Sequence, residues 1–571
     1  MGLARWRSPP SPHARPSATE TDENVNASES AEGDVTRPVD VLVVGAGPTG
    51  LTLAAQLRAF GARFRIIDRQ LDRAHESRAL AIQPRTLEVL AGLGISAEMV
   101  AAGNPTIQLR MHLRRRTVSM GLFDIGITDT AYPFLLFLSQ AETERILGEH
   151  LHRNEVEIER GVDLVDLDTS ADQPICRLRH GDGRPETVRP RYVVGCDGAH
   201  STVRQHAGIA FTGSAYPQTF LLADLEVDGL EAGAAHTYLA EAGMLFFFPL
   251  GVPATWRMLA MRPATMADDV SELDLTQLQA IADAYTGDRL TLRDPVWMTD
   301  FRLHNRGATR YRAGPFFLAG DAAHIHSPAG AQGMNTGIQD SVNLGWKLAL
   351  VTRGVARPAL LDSYEPERAP VGRAVLRFTD RAFTIATSTN PLPRLARTQV
   401  APRLAPLALK LRPARAAGFR VLSQLAVHYR RSPAITDGPH PSRRGPRAGD
   451  RLPDAPVTRD GAPTTLHTAT ARPAGYHLLL CGPTESWRGA QSTTVARNHP
   501  DLVSIDRLSG VGAPPGVLHD PDGAALRRLG LSRADVAQFL IRPDGHIGYR
   551  AGDTDFSGLE SYVDRWLIAP S

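Results

Sequence analysis

The chain has 571 residues, 42% of them hydrophobic and 22% charged, enough to bury large cores and, at about 150 residues per domain, to fill three or four domains. That composition excludes fibrous, collagen-like and wholly disordered chains, and no run of 18 apolar residues is present to span a membrane. A formal net charge of +2 sets up no field for nucleic acid. Of the 63 basic residues only Lys347 and Lys410 are lysine, a choice that a base-composition bias in the source genome explains better than a DNA-binding groove.

Residues 1–37 are rich in Ser, Pro, Glu and Arg and lack the apolar core of a secretory signal, which predicts a disordered leader or a start placed too far upstream. From residue 39 the pattern alternates strand-like and helix-like stretches, as in an α/β protein. Residues 39–44 (VDVLVV) are short, apolar and β-branched and predict a buried parallel strand. The strand runs into Gly45-Ala46-Gly47-Pro48-Thr49-Gly50, a G-x-G-x-x-G. In such a turn the first glycine permits the tight bend, the second lets backbone approach a pyrophosphate and the third lets the helix pack on the strand. A second strand ends at Asp68, 18 residues after Gly50. An acid there binds ribose hydroxyls, so the register expects an adenosine diphosphate group with a free 2′-OH, as in FAD or NAD.

Two more strands end in carboxylates. Residues 191–198 lead to Asp197-Gly198 and on to Arg204, and residues 315–321 lead to Gly320-Asp321. A carboxylate at the C-terminal end of a parallel strand lies where open α/β sheets bind ligands, and Asp321 is placed to hold a ribityl chain. The glycine-rich turn that follows, through Gly333-Met334-Asn335, aims helix N–H groups at an anion such as the N1–C2=O edge of a reduced flavin. Residues 391–450 hold twelve basic residues against Asp437 and Asp450 and predict a basic amphipathic helix on the main domain. Residues 435–455 predict a linker, and residues 456–571 a separate block with strands near 475–481 and 538–542. Cys176, Cys196 and Cys481 are widely spaced and odd in number, which predicts no disulfide framework, no bound metal and a reducing, cytoplasmic setting.

The segments GAGPTG (45–50), GCDGAHSTVR (195–204) and LAGDAAHIHSPAGAQGMNTG (318–337), with SRALAIQPRTLEVL (77–90) and LLFLSQAETERIL (135–147), resemble the FAD-dependent aromatic hydroxylases. These are the class A flavoprotein monooxygenases related to p-hydroxybenzoate and phenol hydroxylases, and the resemblance covers residues 38–385. It implies a Rossmann-like FAD-binding domain (38–210 and 306–434) into which a substrate-binding β-sheet domain (211–305) is inserted. YHLLLCGP (476–483) and LIRPDGHIGYR (540–550) resemble the thioredoxin-like C-terminal domain of longer members, here 456–571. Cys481 is a single thiol where a dithiol motif needs two, so no oxidoreductase activity is expected of that block.

The resemblance implies that Gly45, Gly47, Pro48, Thr49, Gly50, Asp68, Arg69, Arg78, Gln140, Gly320, Asp321, Gly333, Met334 and Asn335 bind FAD. It also implies that Asp197, Gly198 and Arg204 shape a site shared by FAD and a transient NADPH or NADH. Pro328 matches the family proline near the reactive flavin face, and His324 and His326 are either acid–base groups or structural. The activity implied is hydroxylation of a phenolic ring with O2 through a flavin C4a-hydroperoxide. A bulky polycyclic or polyketide-like substrate is expected on the sheet, where Tyr216 and residues 246–251 (FFFPLG) offer aromatic walls. Phenol hydroxylases carry a catalytic carboxylate in the segment matching 77–86; this chain has Leu80 there. The partners expected are an aromatic small molecule and O2, with no nucleic acid and no membrane, and a monomer or homodimer. Baeyer–Villiger-type oxygenation on the same scaffold and a non-catalytic flavin-binding protein are the alternatives. A flavin halogenase would need an active-site lysine and a W-x-W-x-I-P segment, and neither is present.

Overall fold

The computed structural model describes residues 39–569 except 74–78, 107, 114–115, 122–126, 171–172, 241–242, 252–253, 263–272, 328–329, 388–411, 472–473, 489–493 and 513. The leader expected over 1–37 and the roles expected of Arg78 and Pro328 fall outside the described residues.

Val41–Val44 is buried along its whole length, as an apolar, β-branched strand in the middle of a parallel sheet must be. It pairs in parallel with Phe64–Asp68 on one side and Tyr192–Gly195 on the other. Ile158–Arg160 and Phe316–Leu318 extend the sheet in parallel, and Arg312–Ala313 closes one edge antiparallel. Asp68, Asp197 and Asp321 therefore all emerge at the same, C-terminal, end of three strands. The helix Pro48–Ala59 starts with proline at its first position, where the missing N–H costs nothing, and stops at Gly61, whose φ of 70° is left-handed. It lies against the long helix Gly333–Thr352, which is buried on every side from Asn335 to Val351.

The second layer is an eight-stranded sheet in the order His324–Ile325, Thr291–Ala308, Phe211–Asp228, Trp256–Met261, Gly243–Pro249, Ala235–Ala240, Gln108–Leu113, Arg116–Gly121. The span expected for this sheet, 211–305, thus gains two strands from 108–121. Gln108–Leu113 pairs with the outer side of Ala235–Ala240, which otherwise would leave a row of unpaired backbone groups. Alternation of side chains gives the sheet two unlike faces. Leu221, Ala223, Leu245, Phe247 and Met258 pack under the helix Leu275–Thr286, which opens with a capping box between Asp274 and Gln277. Phe220, Leu222, Leu259, Met261, Trp297 and Phe301 point the other way.

The C-terminal block is a second eight-stranded sheet around Tyr476–Cys481, which pairs in parallel with Val503–Ser509 and antiparallel with Ala537–Ile541. The stretch 435–455, expected as a linker, is instead packed. Ala448, Leu452 and Ala455 are core residues, and Thr436–Asp437 joins the edge of the sheet. The buried Arg451 bonds Glu88 and Asp129. A polar, Pro/Gly-rich sequence reads as a tether, but here Arg451 finds buried carboxylates on the first domain. Part of the basic region is the helix Arg412–Leu422, which docks through Phe419 beside Ile127 and Phe134. The three cysteines are buried and free, and no described helix is long and apolar enough to cross a membrane.

Candidate active site

At the nucleotide end two of the three fingerprint glycines are enforced by packing. A Cβ on Gly45 would lie 2.4 Å from the Cys196 carbonyl oxygen, at a φ of 101°, and one on Gly50 would lie 1.9 Å from the Gly45 carbonyl oxygen. A Cβ on Gly47 would meet nothing within 4 Å, so packing does not explain this glycine while an approaching phosphate does. The first-turn N–H groups of Pro48–Ala59 lack intrahelical partners and carry the positive end of the dipole. Asp68 takes the N–H of Ala46 at 2.6 Å and that of Gln70 at 2.8 Å, holding its carboxylate beside the turn, and Arg69 next to it is exposed.

A second helix start converges on the first. Cβ atoms on Gly320 and Gly337 would lie 2.5 and 2.4 Å from the Thr49 hydroxyl oxygen, and Ser341 donates to the Thr49 carbonyl at 2.6 Å. The turn Gly320–Ala322, with Gly320 at φ 62°, exposes Asp321 beside both helix starts. Met334 is half-buried in the first turn of Gly333–Thr352. Asn335 is buried, and its amide donates to the carbonyls of Ala81 and Ala331 and accepts the N–H of Gln83, each at 2.8 Å. Both Asn335 donors are therefore spent on holding residues 81–83 against the helix. Ala331, just before that helix, sits at φ 53°, a left-handed conformation unusual for a residue with a Cβ.

Asp197 accepts the N–H groups of Thr202 and Val203 at 2.7 and 3.2 Å through one oxygen. Its other oxygen is buried without a hydrogen-bond partner among the described residues, and burial raises its pKa. Gly198 turns the chain at φ 76°. Arg204 donates to the carbonyls of Ala322 and Ala199 at 2.9 and 2.8 Å and covers the Phe211 ring at 4.0 Å, so it ties this turn to the one carrying Asp321. Gln140 starts the helix Gln140–Arg153 and donates its backbone N–H to Ala79 at 3.0 Å, which brings it to the segment preceding Leu80. His324 is fully buried, its Nε2 2.8 Å from Asp340, and His326 bonds the Ser327 carbonyl while burial pushes its pKa down to about 4.

The face of the sheet carrying Leu222 and Leu259 is turned toward this assembly. Phe137 stacks on Phe248 at 5.7 Å, and Leu80 and Ala331 pack with them. On the same face Arg257 forms a two-pronged ion pair with Asp224 at 2.7 Å and reaches the Ala79 carbonyl at 3.3 Å. At its edge the Tyr216 hydroxyl donates to Asp380 at 2.7 Å. Asp224, Arg257, Asp340, Arg368 and Asp380 were not singled out from the sequence. A carboxylate inside a helix otherwise apolar enough to be buried was the available signal for Asp340.

Two helix starts, an open glycine and carboxylates at strand ends are a donor set that fits a flavin adenine dinucleotide. The FAD binding domain family matches residues 38–379, and the aromatic-ring hydroxylase C-terminal family matches residues 445–570. The chain belongs to the FAD-dependent aromatic-ring hydroxylases. It is 37% identical to the 6-methylpretetramide 4-monooxygenase of Streptomyces rimosus, over 90% of this chain and 91% of that one. It is 33% identical to the pentachlorophenol 4-monooxygenase of Sphingobium chlorophenolicum, over 92% of this chain and 96% of that one. The crystal structure of the flavin-dependent monooxygenase PieE in complex with FAD and substrate is similar with a TM-score of 0.76 at 25% identity, covering 93% of this chain and 100% of that one. As a member of this family the chain is an FAD-dependent aromatic monooxygenase with NAD(P)H as reductant.

Proposed function

We propose that this monooxygenase hydroxylates a bulky, multi-ring phenol lying on the apolar face of the inserted sheet. The observation that carries the reading is that face itself, a floor of Phe220, Leu222, Leu259, Met261, Trp297 and Phe301 opposite the helix-covered one. Full-length similarity to a monooxygenase named for 6-methylpretetramide supports it. In this reading Gly45, Gly47, Pro48, Thr49, Gly50, Asp68, Arg69 and Gln140 hold the adenosine diphosphate half of FAD, and Gly320, Asp321, Gly333 and Met334 the flavin half. Asn335 acts by bracing the helix start. Arg78 and Pro328 are assigned by resemblance to the pyrophosphate and the reactive face. The central position of Val41–Val44, with neighbours crossing to both sides, supports a Rossmann-like domain, and Tyr476–Cys481 between one parallel and one antiparallel neighbour supports a thioredoxin-like one.

Bound and reduced FAD supplies the activation of O2 and the transfer of one oxygen atom to the ring. The protein's own residues do the rest. The aromatic floor orients the ring and excludes water. Leu80 packs beside Phe248 and leaves that position without a base, and Asp224 is locked by Arg257. The Tyr216–Asp380 hydrogen bond is placed to take up a phenol proton at the edge of the floor: burial, then Asp380, raises the Tyr216 pKa, so its hydroxyl stays protonated and relays rather than ionises.

The test is NAD(P)H oxidation by the purified, FAD-loaded protein against polycyclic and monocyclic phenols, with mass analysis of the product. Polycyclic phenols should stimulate oxidation and gain one oxygen. Turnover confined to monocyclic phenols, the outcome that the similarity to a pentachlorophenol monooxygenase favours, would sink the proposal.

A further inference from the structure

Asp321 is bracketed by two groups that end on one buried oxygen. The N–H of Gly320, the residue before it, donates to Asp340 Oδ2 at 3.1 Å, and Nε2 of His324, three residues after it, lies 2.8 Å from the same oxygen. The other oxygen of Asp340 takes Nε of Arg368 at 2.7 Å. Arg368 lies on the helix Tyr364–Thr387, and its Nη1 donates to the Tyr429 hydroxyl at 3.0 Å and its Nη2 to the Thr336 carbonyl at 3.2 Å. Asp340, His324 and Arg368 have no exposed side-chain surface.

Resting on the reading that Asp321 holds FAD, we propose that Asp340 and His324 are positioning residues for the flavin turn. Asp340 fixes the turn from behind, His324 acts through it as a hydrogen-bond donor, and Arg368 with Tyr429 holds the carboxylate in register.

Three features support this. Gly320 is left-handed at φ 62°, and a Cβ on it would lie 2.5 Å from the Thr49 hydroxyl oxygen, so the turn is packed tightly against the first helix start and a small shift of its backbone would be felt there. Burial alone would raise the Asp340 pKa, but Arg368 and His324 outweigh it and hold the carboxyl below its ordinary range, so it stays an acceptor. His324 Nδ1 has no hydrogen-bond partner among the described residues. A ring enclosed in this way is suited to bracing a backbone turn and not to exchanging protons with a substrate, which replaces the acid–base role considered for it from the sequence.

The experiment measures FAD released on serial dilution of the full-length holoenzyme, read by flavin fluorescence, beside thermal melting of the same samples. Gln keeps an N–H at the position of Nε2, whereas Leu keeps only the packing against Tyr311. His324→Leu should raise the FAD dissociation constant at least tenfold, and His324→Gln should stay within threefold of the parent. A purely packing role predicts the reverse order, with Leu the milder change, and that order would overturn the proposal, as would equal losses that merely follow the melting temperature. Should His324→Leu fail to fold, Tyr429→Phe removes a single hydroxyl from Arg368: a threefold to tenfold rise in the dissociation constant supports the bracing, and no rise overturns it. Asp321→Ala, run alongside, separates the two levels. If it retains FAD as tightly as the parent, the assignment of the turn to FAD has failed; if it releases FAD while His324→Leu and Tyr429→Phe do not, only the bracing has failed.

Discussion

The helix Gly333–Thr352 joins two regions that treat their carboxylates in opposite ways. At its mouth Asp68 and Asp197 are answered by backbone N–H groups, and Asp321 is exposed. A few turns on, Glu367 accepts Lys347 at 2.7 Å, Arg542 at 2.7 and 2.8 Å, Asn343 at 2.6 Å and Ser432 at 2.6 Å. Arg542 also pairs with Asp544. Peptide N–H groups fix a carboxylate and leave lone pairs for a ligand, whereas guanidinium and ammonium groups saturate it. In the proposed reading the mouth is the part that receives FAD, while the interior seals the C-terminal block onto the helices of the first domain. Breaking either end should leave the other nearly intact.

The largest expected effect is at the interior. Arg542→Met removes the two-pronged partner of Glu367 and leaves Asp544 buried without its cation. Breaking one partner of a buried pair costs about 3–5 kcal/mol. A matching drop in the denaturation midpoint, with FAD affinity of the folded protein unchanged, is expected; a loss of FAD at unaltered stability would erase the distinction between the two regions.

Next comes the pH dependence of the same cluster. Burial pushes the Glu367 carboxyl up, but Arg542 and Lys347 outweigh burial and bring it from 4.5 down to about 2. A depressed pKa means that the unfolded chain takes up the proton first as the pH falls. The stabilisation is complete above about 4.5 and drains away toward about 2, on the order of 3 kcal/mol in all. The gap in denaturation midpoint between the parent and Glu367→Gln should accordingly be wide at pH 6 and narrow at pH 3. A gap independent of pH would mean that the charge of Glu367 contributes nothing.

Asp321→Ala tests the mouth. Hydrogen bonds to a charged group contribute about 1.5–3 kcal/mol, so FAD affinity should fall roughly tenfold to a hundredfold. The loss of FAD affinity should exceed any change in the stability of the FAD-free chain, because the side chain is exposed.

The contrast also explains what could be read from the sequence. The strand Val41–Val44, the glycine fingerprint, Asp68 and Asp321 are local: each follows from a short run whose period and punctuation report its own conformation. The interior cluster draws Asn343, Lys347, Glu367, Ser432, Arg542 and Asp544 from positions up to 201 residues apart, and nothing local in the sequence says which arginine meets which acid. The misreading of 435–455 as a tether has the same cause, since Arg451 gains its partners Glu88 and Asp129 only when the two blocks dock. The strands at 108–121 were missed because an edge's need for a partner is a property of the sheet.

The smallest effect sets the turn before the helix against the helix interior with a single substitution type. Ala331, at the mouth, is left-handed at φ 53°; a Cβ there costs about 1–2 kcal/mol, against roughly 0.4–1 kcal/mol of unfolded-state freedom that glycine adds. Its methyl is only partly buried beside Leu80 and Phe248. Ala331→Gly should leave the denaturation midpoint unchanged or slightly raised. Ala349, fully buried in the interior of the same helix, has ordinary helical geometry, so Ala349→Gly should cost about 1 kcal/mol from helix propensity alone, with the lost methyl contact added to it. Opposite or null responses at the mouth beside a clear loss in the interior would show that strain is kept in the turn before the helix. Equal losses at both positions would mean that the backbone at Ala331 relaxes without the side chain, and the mouth would then be no more strained than the rest of the helix.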